Sequence, residues 1–234
     1  MKILIVHAHP ETGSFSGALT QEAIRVLELE GHEVVVSDLY ALGWNPVSDR
    51  RNFTTVLDPD YLKLQDEERN AVQHDGFSID VQAEIDKVMA CDALIFQFPL
   101  WWFSLPAILK GWVDRVFAAG VAYGGGRWFE NGVFKGKRAM LSLTTGGPES
   151  MFSPDGLNGD IHKLLYPINH GIFRFVGFDV LPPFISWQPA HVEASQRANY
   201  LEQYRARLRT LWVDSPIEYP SLSEFIPGTF VKRR

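Results

Sequence analysis

Three short stretches hold residues whose types and spacing suit ligand chemistry, and each directly follows an apolar run. The first is His7-Ala8-His9-Pro10-Glu11-Thr12-Gly13-Ser14-Phe15-Ser16, after Ile3 to Val6. Its Gly13-Ser14-Phe15-Ser16 part runs into a helical pattern, where unpaired amides and serine hydroxyls attract an anion such as phosphate. His9 can add a donor. The plainer alternative is a serine cap beside a surface histidine. The second is Pro99-Leu100-Trp101-Trp102-Phe103, after Ala93 to Phe98. Three successive aromatic residues cannot all point into one core, so some are expected to wall a cleft and stack on a planar ring. The third is Thr144-Thr145-Gly146-Gly147, after Ala139 to Leu143. Its glycines permit close backbone approach, and its hydroxyls and amides can bond the oxygens of a ring system.

The elements that must position these loops are read from periodicity. Lys2 to Val6 is a buried strand, and residues 16 to 30 form a helix with Leu19, Ala23 and Leu27 on one stripe. Ser14 or Ser16 caps it and Gly31 ends it. Glu33 to Ser37 is a second strand. Residues 41 to 79 show no sustained period, though Tyr61 to Asn70 fits a polar helix. Asp80 to Met89 is a helix with Val81, Ile85, Val88 and Met89 as its apolar face. Ala93 to Phe98 is a central strand. Pro106 to Phe117 is a helix apolar over much of its surface, so it needs cover on more than one side.

Arg138 to Leu143 is the fourth strand, and His162 to Phe175 is helical, weakened by Pro167 and Gly171. Val180 and the run Phe184 to Trp187 supply a fifth strand kinked by Pro182-Pro183. Ser195 to Trp212 is the last long helix. This alternation predicts an α/β, doubly wound, five-stranded parallel sheet with helices on both faces. In such a sheet the three loops meet at one edge. The domain is expected over residues 1–215. Residues 216–234 form a tail too apolar for a free linker (Tyr219, Leu222, Phe225, Ile226, Phe230), packed on the domain or a partner subunit.

Composition narrows the classes. With 234 residues, 46% of them hydrophobic, the chain can bury a sizeable core. A formal charge of -6 provides no basic field for nucleic acid. No run approaches the about 20 apolar residues of a membrane-spanning helix, so no membrane insertion is expected. The only cysteine is Cys91, an inert buried thiol on this reading, and residues 2 to 6 read as a strand and not as a leader. A cytoplasmic location is the expectation. His7 and His9 share a strand face at ligand spacing, but no third metal ligand is identifiable, so no metal is assigned. A flat, phosphorylated redox cofactor best fits the three loops, with the protein orienting and tuning it.

The chain resembles the flavodoxin-like NAD(P)H dehydrogenase (quinone) family. The resemblance lies in Leu4-Ile5-Val6-His7-Ala8-His9-Pro10, Ser37-Asp38-Leu39-Tyr40, Phe96-Gln97-Phe98-Pro99-Leu100-Trp101-Trp102, Leu105-Pro106-Ala107-Ile108-Leu109-Lys110-Gly111-Trp112 and Leu143-Thr144-Thr145-Gly146-Gly147, across roughly residues 2–212. It implies a flavodoxin-like fold, FAD (FMN in some relatives) and a homodimer with active sites near the subunit interface. It also implies ping-pong hydride transfer from NADH or NADPH through flavin to a quinone or similar electrophilic acceptor. By the same resemblance His9, Ser14, Phe15 and Ser16 lie at the cofactor phosphates, and Pro99, Leu100, Trp101, Trp102 and Phe103 border its ring. Thr144, Thr145, Gly146 and Gly147 bind the ring or its side chain, and Tyr123 is an aromatic wall of the substrate pocket.

Departures from the family pattern matter as much. Animal members use a tyrosine and a histidine near the reduced flavin as a proposed charge relay; Phe152 and Asn158 stand at those substrate-pocket positions here. Neither can serve as an imidazole base or phenol donor. Gly125 replaces a second pocket tyrosine, Gly13 a hydroxyl residue, and Lys63 a glutamine associated with the adenine end. A different-class alternative is a regulatory or ancillary flavoprotein subunit of a potassium-efflux system.

Overall fold

In the computed structural model, which describes residues 1–233, the chain lays down β1 (Lys2–His7), α1 (Phe15–Leu29), β2 (Glu33–Asp38), α2 (Leu64–His74), α3 (Ile79–Ala90) and β3 (Ala93–Pro99). There follow α4 (Ala107–Val116), β4 (Arg138–Thr144), α5 (Ile161–Ile168), β5 (Asp179–Val180), β6 (Phe184–Ser186) and α6 (Ala194–Arg209). The sheet order is β2-β1-β3-β4-β5, with β6 also on β4, and every pairing is parallel. The chain reverses its winding between β1 and β3, the position where such sheets leave a crevice for ligands.

Alternation along the strands assigns the two layers. Ile3, Ile5, Ala93, Ile95 and Met140 face α1 and α6, where they meet Leu19, Ala23, Leu27, Tyr204 and Leu208. Leu4, Val6, Leu94, Phe96, Phe98 and Leu141 face α3, α4 and α5. All seven residues of β3 are buried, as expected of a central strand covered on both faces. Ser14 is the residue that caps α1, accepting from the Gly17 amide at 3.0 Å, and Gly31 ends that helix at φ +79.

Four expectations change. The fifth strand is two pieces: Asp179–Val180 pairs with Arg138–Ala139, and Phe184–Ser186 pairs with Ser142–Thr144. Pro182-Pro183 between them offers no amide to the ladder. The helix of residues 61–70 starts later, at Leu64, because Asp58 holds the amides of Asp60 and Tyr61 in a turn. On α3, Met89 is exposed, and Val81, Ile85 and Val88 alone make the apolar face. The helix around Pro167 is not uniform: α5 passes into a wide π-helical turn over Asn169–Arg174.

The unpatterned segment before α2 is ordered by the buried side chain of Arg115. Its guanidinium donates to Asn52 Oδ1 at 2.7 Å and the Asn45 carbonyl at 2.9 Å, pairs with Asp80 at 2.9 Å and lies 4.4 Å from the Trp44 ring centroid. The segment seats directly on α4, since a Cβ at Gly111 would stand 2.2 Å from the Pro46 oxygen. Thus α4 is covered by the sheet on one side and by this segment on another. The C-terminal stretch also packs: the Ile217 amide donates to Val180 O, the Leu222 amide to Glu130 Oε1, and Tyr219 lies edge-on to His170. Among the described residues no helix is long and apolar enough to cross a membrane.

Candidate active site

Strand register brings the three loops level. His7 pairs with Gln97, Pro99 with Thr144, and Thr144 with Ser186. Each loop leaves its strand through one further ladder bond: Ala8 N to Gln97 O, Leu100 N to Thr144 O, and Thr145 N to Ser186 O. Between them lies a cleft of about 670 Å³. His9, Ser14, Phe15 and Ser16 line it from the first loop, Pro99, Leu100 and Trp101 from the second, and Thr144, Thr145 and Gly146 from the third.

The first loop is preorganised for an anion. The Glu11 carboxylate accepts the Gly13 amide at 2.8 Å, and the Ser14 hydroxyl takes that of Gly17. No Cβ fits at Gly17, where it would lie 2.3 Å from the Thr12 oxygen. The amides of Phe15 and Ser16 open the helix with no intrahelical acceptor available. His9 Nδ1 is held against the Glu11 backbone, 3.0 Å from its amide and 3.2 Å from its carbonyl, which fixes the ring at the rim of the cleft. His7 is the buried member of the pair: its Nδ1 lies 2.8 Å from Thr20 Oγ1, and burial lowers its pKa despite nearby Asp38.

The third loop supplies shape. A Cβ at Gly146 would meet no protein atom within 4 Å, so the glycine leaves open space on that wall. Thr145 Oγ1 donates to Gly147 O at 2.7 Å and accepts from the Gln188 amide at 3.3 Å, which fixes the turn. Ser16 Oγ and Thr144 Oγ1 stand 3.5 Å apart, joining the first and third loops. A groove with an anion-ready helix start at one end, an aromatic and proline wall, and a side-chain-free patch suits a flat ring carrying phosphate.

The structure does not bring all the anticipated residues into this cleft. Trp102 is 95% exposed and Phe103 47%. Both adopt left-handed backbone, at φ +50 and +59, where bulky side chains are uncommon. Gly147 sits behind the turn, 2.9 Å from Met151 Sδ as judged by an added Cβ. Phe152 is buried against Trp187 and Phe103, and the Asn158 amide donates to Met151 O, so both back the third loop. Tyr123 lines a second cleft of about 480 Å³, with Gln65, Glu68, Phe117 and Phe175. Lys63 lies by Asp58 and Tyr61 in another pocket, outside both clefts.

Sequence reasoning missed Pro189, Ala190 and Arg197, which complete the first cleft. Arg197 lies in the first turns of α6, and its guanidinium donates to the carbonyls of Pro189 and Val192. A cation near the start of a helix that follows the last strand was the available signal.

Residues 1–210 match the sequence profile described as the flavodoxin-like fold, which fixes the class. NAD(P)H dehydrogenase [quinone] 1 of Rattus norvegicus is 42% identical over 225 residues, 96% of this chain and 82% of that protein. Ribosyldihydronicotinamide dehydrogenase [quinone] of Homo sapiens is 41% identical over 217 residues, 92% of this chain and 94% of its own length. The crystal structure of a putative quinone reductase from Klebsiella pneumoniae superposes with a TM-score of 0.96 at 40% identity, covering 100% of this chain and 94% of that one. The chain belongs to the NAD(P)H dehydrogenase (quinone) family of flavodoxin-like proteins.

Proposed function

We propose that the protein is a flavin-dependent NAD(P)H:quinone oxidoreductase that carries FAD in the first cleft. The observation that carries the reading is the level convergence of the three loops on one groove, in a chain of this family. Flavin, when bound, supplies reversible hydride acceptance at its ring. The chain's residues hold and shape. His9 Nε2, the Ser16 hydroxyl and the Phe15 and Ser16 amides face the phosphates, with Arg197 adding positive charge. Pro99, Leu100 and Trp101 lie along the ring, and Thr144, Thr145 and Gly146 offer it hydroxyls, amides and room. FAD is favoured over FMN because the cleft carries both the helix start and a separate cation on α6.

The working unit on this reading is a homodimer. Trp102 and Phe103 project from the lip of the first cleft with 95% and 47% exposure, a protruding apolar pair suited to burial against a second copy. Tyr123 and the second cleft of one subunit then complete the pocket of the other, where the nicotinamide donor and a quinone-like acceptor bind in turn.

Purified protein should carry a yellow flavin of FAD mass, be bleached by NADH or NADPH under anaerobic conditions, and be reoxidised by a quinone. Protein that binds neither FAD nor FMN refutes the assignment.

A further inference from the structure

The second cleft holds a group with no counterpart in the three-loop chemistry. Glu68 is only 4% exposed, yet it lines that cleft beside Tyr123. Its Oε2 accepts the Ala119 amide at 2.7 Å. Its Oε1 has no hydrogen-bond partner within the protein, on a residue that lines the cleft. No cation pairs with it among the described residues: Arg69, next along α2, is turned to Asp66 at 2.8 Å. Across the cleft Ile172 and Phe175 present apolar surface. Tyr123 OH accepts from Gln65 Nε2 at 3.2 Å, which leaves the phenol proton free to point elsewhere.

We propose that Glu68 is the proton donor to the acceptor in the second cleft, acting beside Tyr123. The proposal rests on the quinone-reductase reading. A quinone that receives a hydride gains two electrons and one proton, and the product still bears one oxyanion. The Glu68 O–H bond breaks, its proton joins that oxygen to complete the hydroquinone, and the carboxylate left behind is reprotonated from water. Phe152 and Asn158 cannot do this at the positions where family members carry a tyrosine and a histidine.

The local charges fit the role. Burial pushes the Glu68 carboxyl up to about 7, opposed by the Ala119 hydrogen bond and by Arg69, so both proton states are populated near neutrality. Burial, then the Glu68 charge, raises the Tyr123 phenol, which stays protonated as a hydrogen-bond donor. Asp114, the remaining charged group on this cleft, is already paired with Lys110 at 2.6 Å on α4. Arg115 of the same helix is turned away to Asp80.

The test uses flavin-loaded protein, wild type and Glu68→Gln, in stopped-flow over about pH 5.5 to 8.5. Wild-type quinone reduction should slow as pH rises through about 7. The variant should be slower by about 100-fold at acid pH, with a flat profile. A second readout needs no turnover: a redox-inert aromatic ketone should bind wild type up to about tenfold more tightly below pH 7 than above it, and bind Glu68→Gln independently of pH.

A Glu68→Gln profile that keeps the wild-type shape overturns the proposal, because a carboxylate that merely holds the Ala119 amide would leave that shape untouched. If the variant does not fold, the wild-type ketone titration decides alone, and a flat curve overturns it. Wild-type protein without flavin or quinone turnover overturns the functional reading and this inference together. Flavin and turnover with a flat wild-type profile overturn the Glu68 assignment only.

Discussion

Replacing Glu68 by glutamine should remove a pH-dependent loss of stability. Burial holds the carboxyl at about 7 in the fold, against an ordinary glutamate value of 4.5. Between those values the folded chain holds a proton that the unfolded chain has released, so folding loses free energy as pH rises. The contribution is full below about pH 4.5, declines through the window and is gone above about pH 7. At about 1.4 kcal/mol per pH unit of separation, the full loss comes to about 3.5 kcal/mol. Glutamine keeps an oxygen for the Ala119 amide and has nothing to titrate. Urea unfolding of both proteins at closely spaced pH values from about 4.5 to 8 gives the difference directly, and titrations common to both chains cancel. The variant should gain about 3 kcal/mol relative to wild type across that range. A difference that does not change with pH would show that Glu68 is solvated in the fold, and the reasoning would fail with it.

Three further outcomes are expected. Gly146→Val should cost flavin affinity while leaving the thermal midpoint of the flavin-free protein nearly unchanged, because a Cβ there meets no protein atom within 4 Å; equilibrium dialysis and calorimetry read the two. Trp102→Ala should leave the fold of the single chain intact, since the side chain is 95% exposed there, while loosening the proposed homodimer as read by sedimentation at falling protein concentration. It should still reduce hydride-transfer rate or cofactor affinity, and unchanged kinetics and binding would remove Trp102 from the site. Arg115→Met should lose about 3 kcal/mol or more in urea titrations, because the Asn52 and Asn45 acceptors lose their donor in a buried setting.

The strands, their order of use and the three loops were legible because apolar runs and turn residues are local signals. The level alignment of those loops was legible as well, since parallel α/β sheets place their ligand loops at one edge. Other features depended on tertiary contacts. Trp101, Trp102 and Phe103 are equivalent in a sequence, and only the left-handed backbone at Trp102 and Phe103 separates a cleft wall from two projecting rings. Arg115 looked like one more charge on a helix; its burial follows from carbonyls contributed 70 residues away. Glu68 sat in a polar helical stretch with nothing to mark it, because α2 buries Glu67 and Glu68 while Gln65 and Arg69 face outward or toward the cleft rim. Arg197 reached the first cleft through the 189–192 turn, whose path no periodicity encodes.

The wide turn at Asn169–Arg174 behaves as a phase shifter. It sends Phe173 inward, to within 4.7 Å of Phe96, while Ile172 and Phe175 meet the second cleft. Each residue of a regular helix advances about 100° around its axis. Deleting Gly171 would let the segment rewind as ordinary helix, but everything beyond it would swing by about that angle, exchanging core-facing and cleft-facing positions. Substitutions that keep the segment's length are therefore far milder than a single-residue deletion, and chain length here is a determinant of pocket shape in its own right.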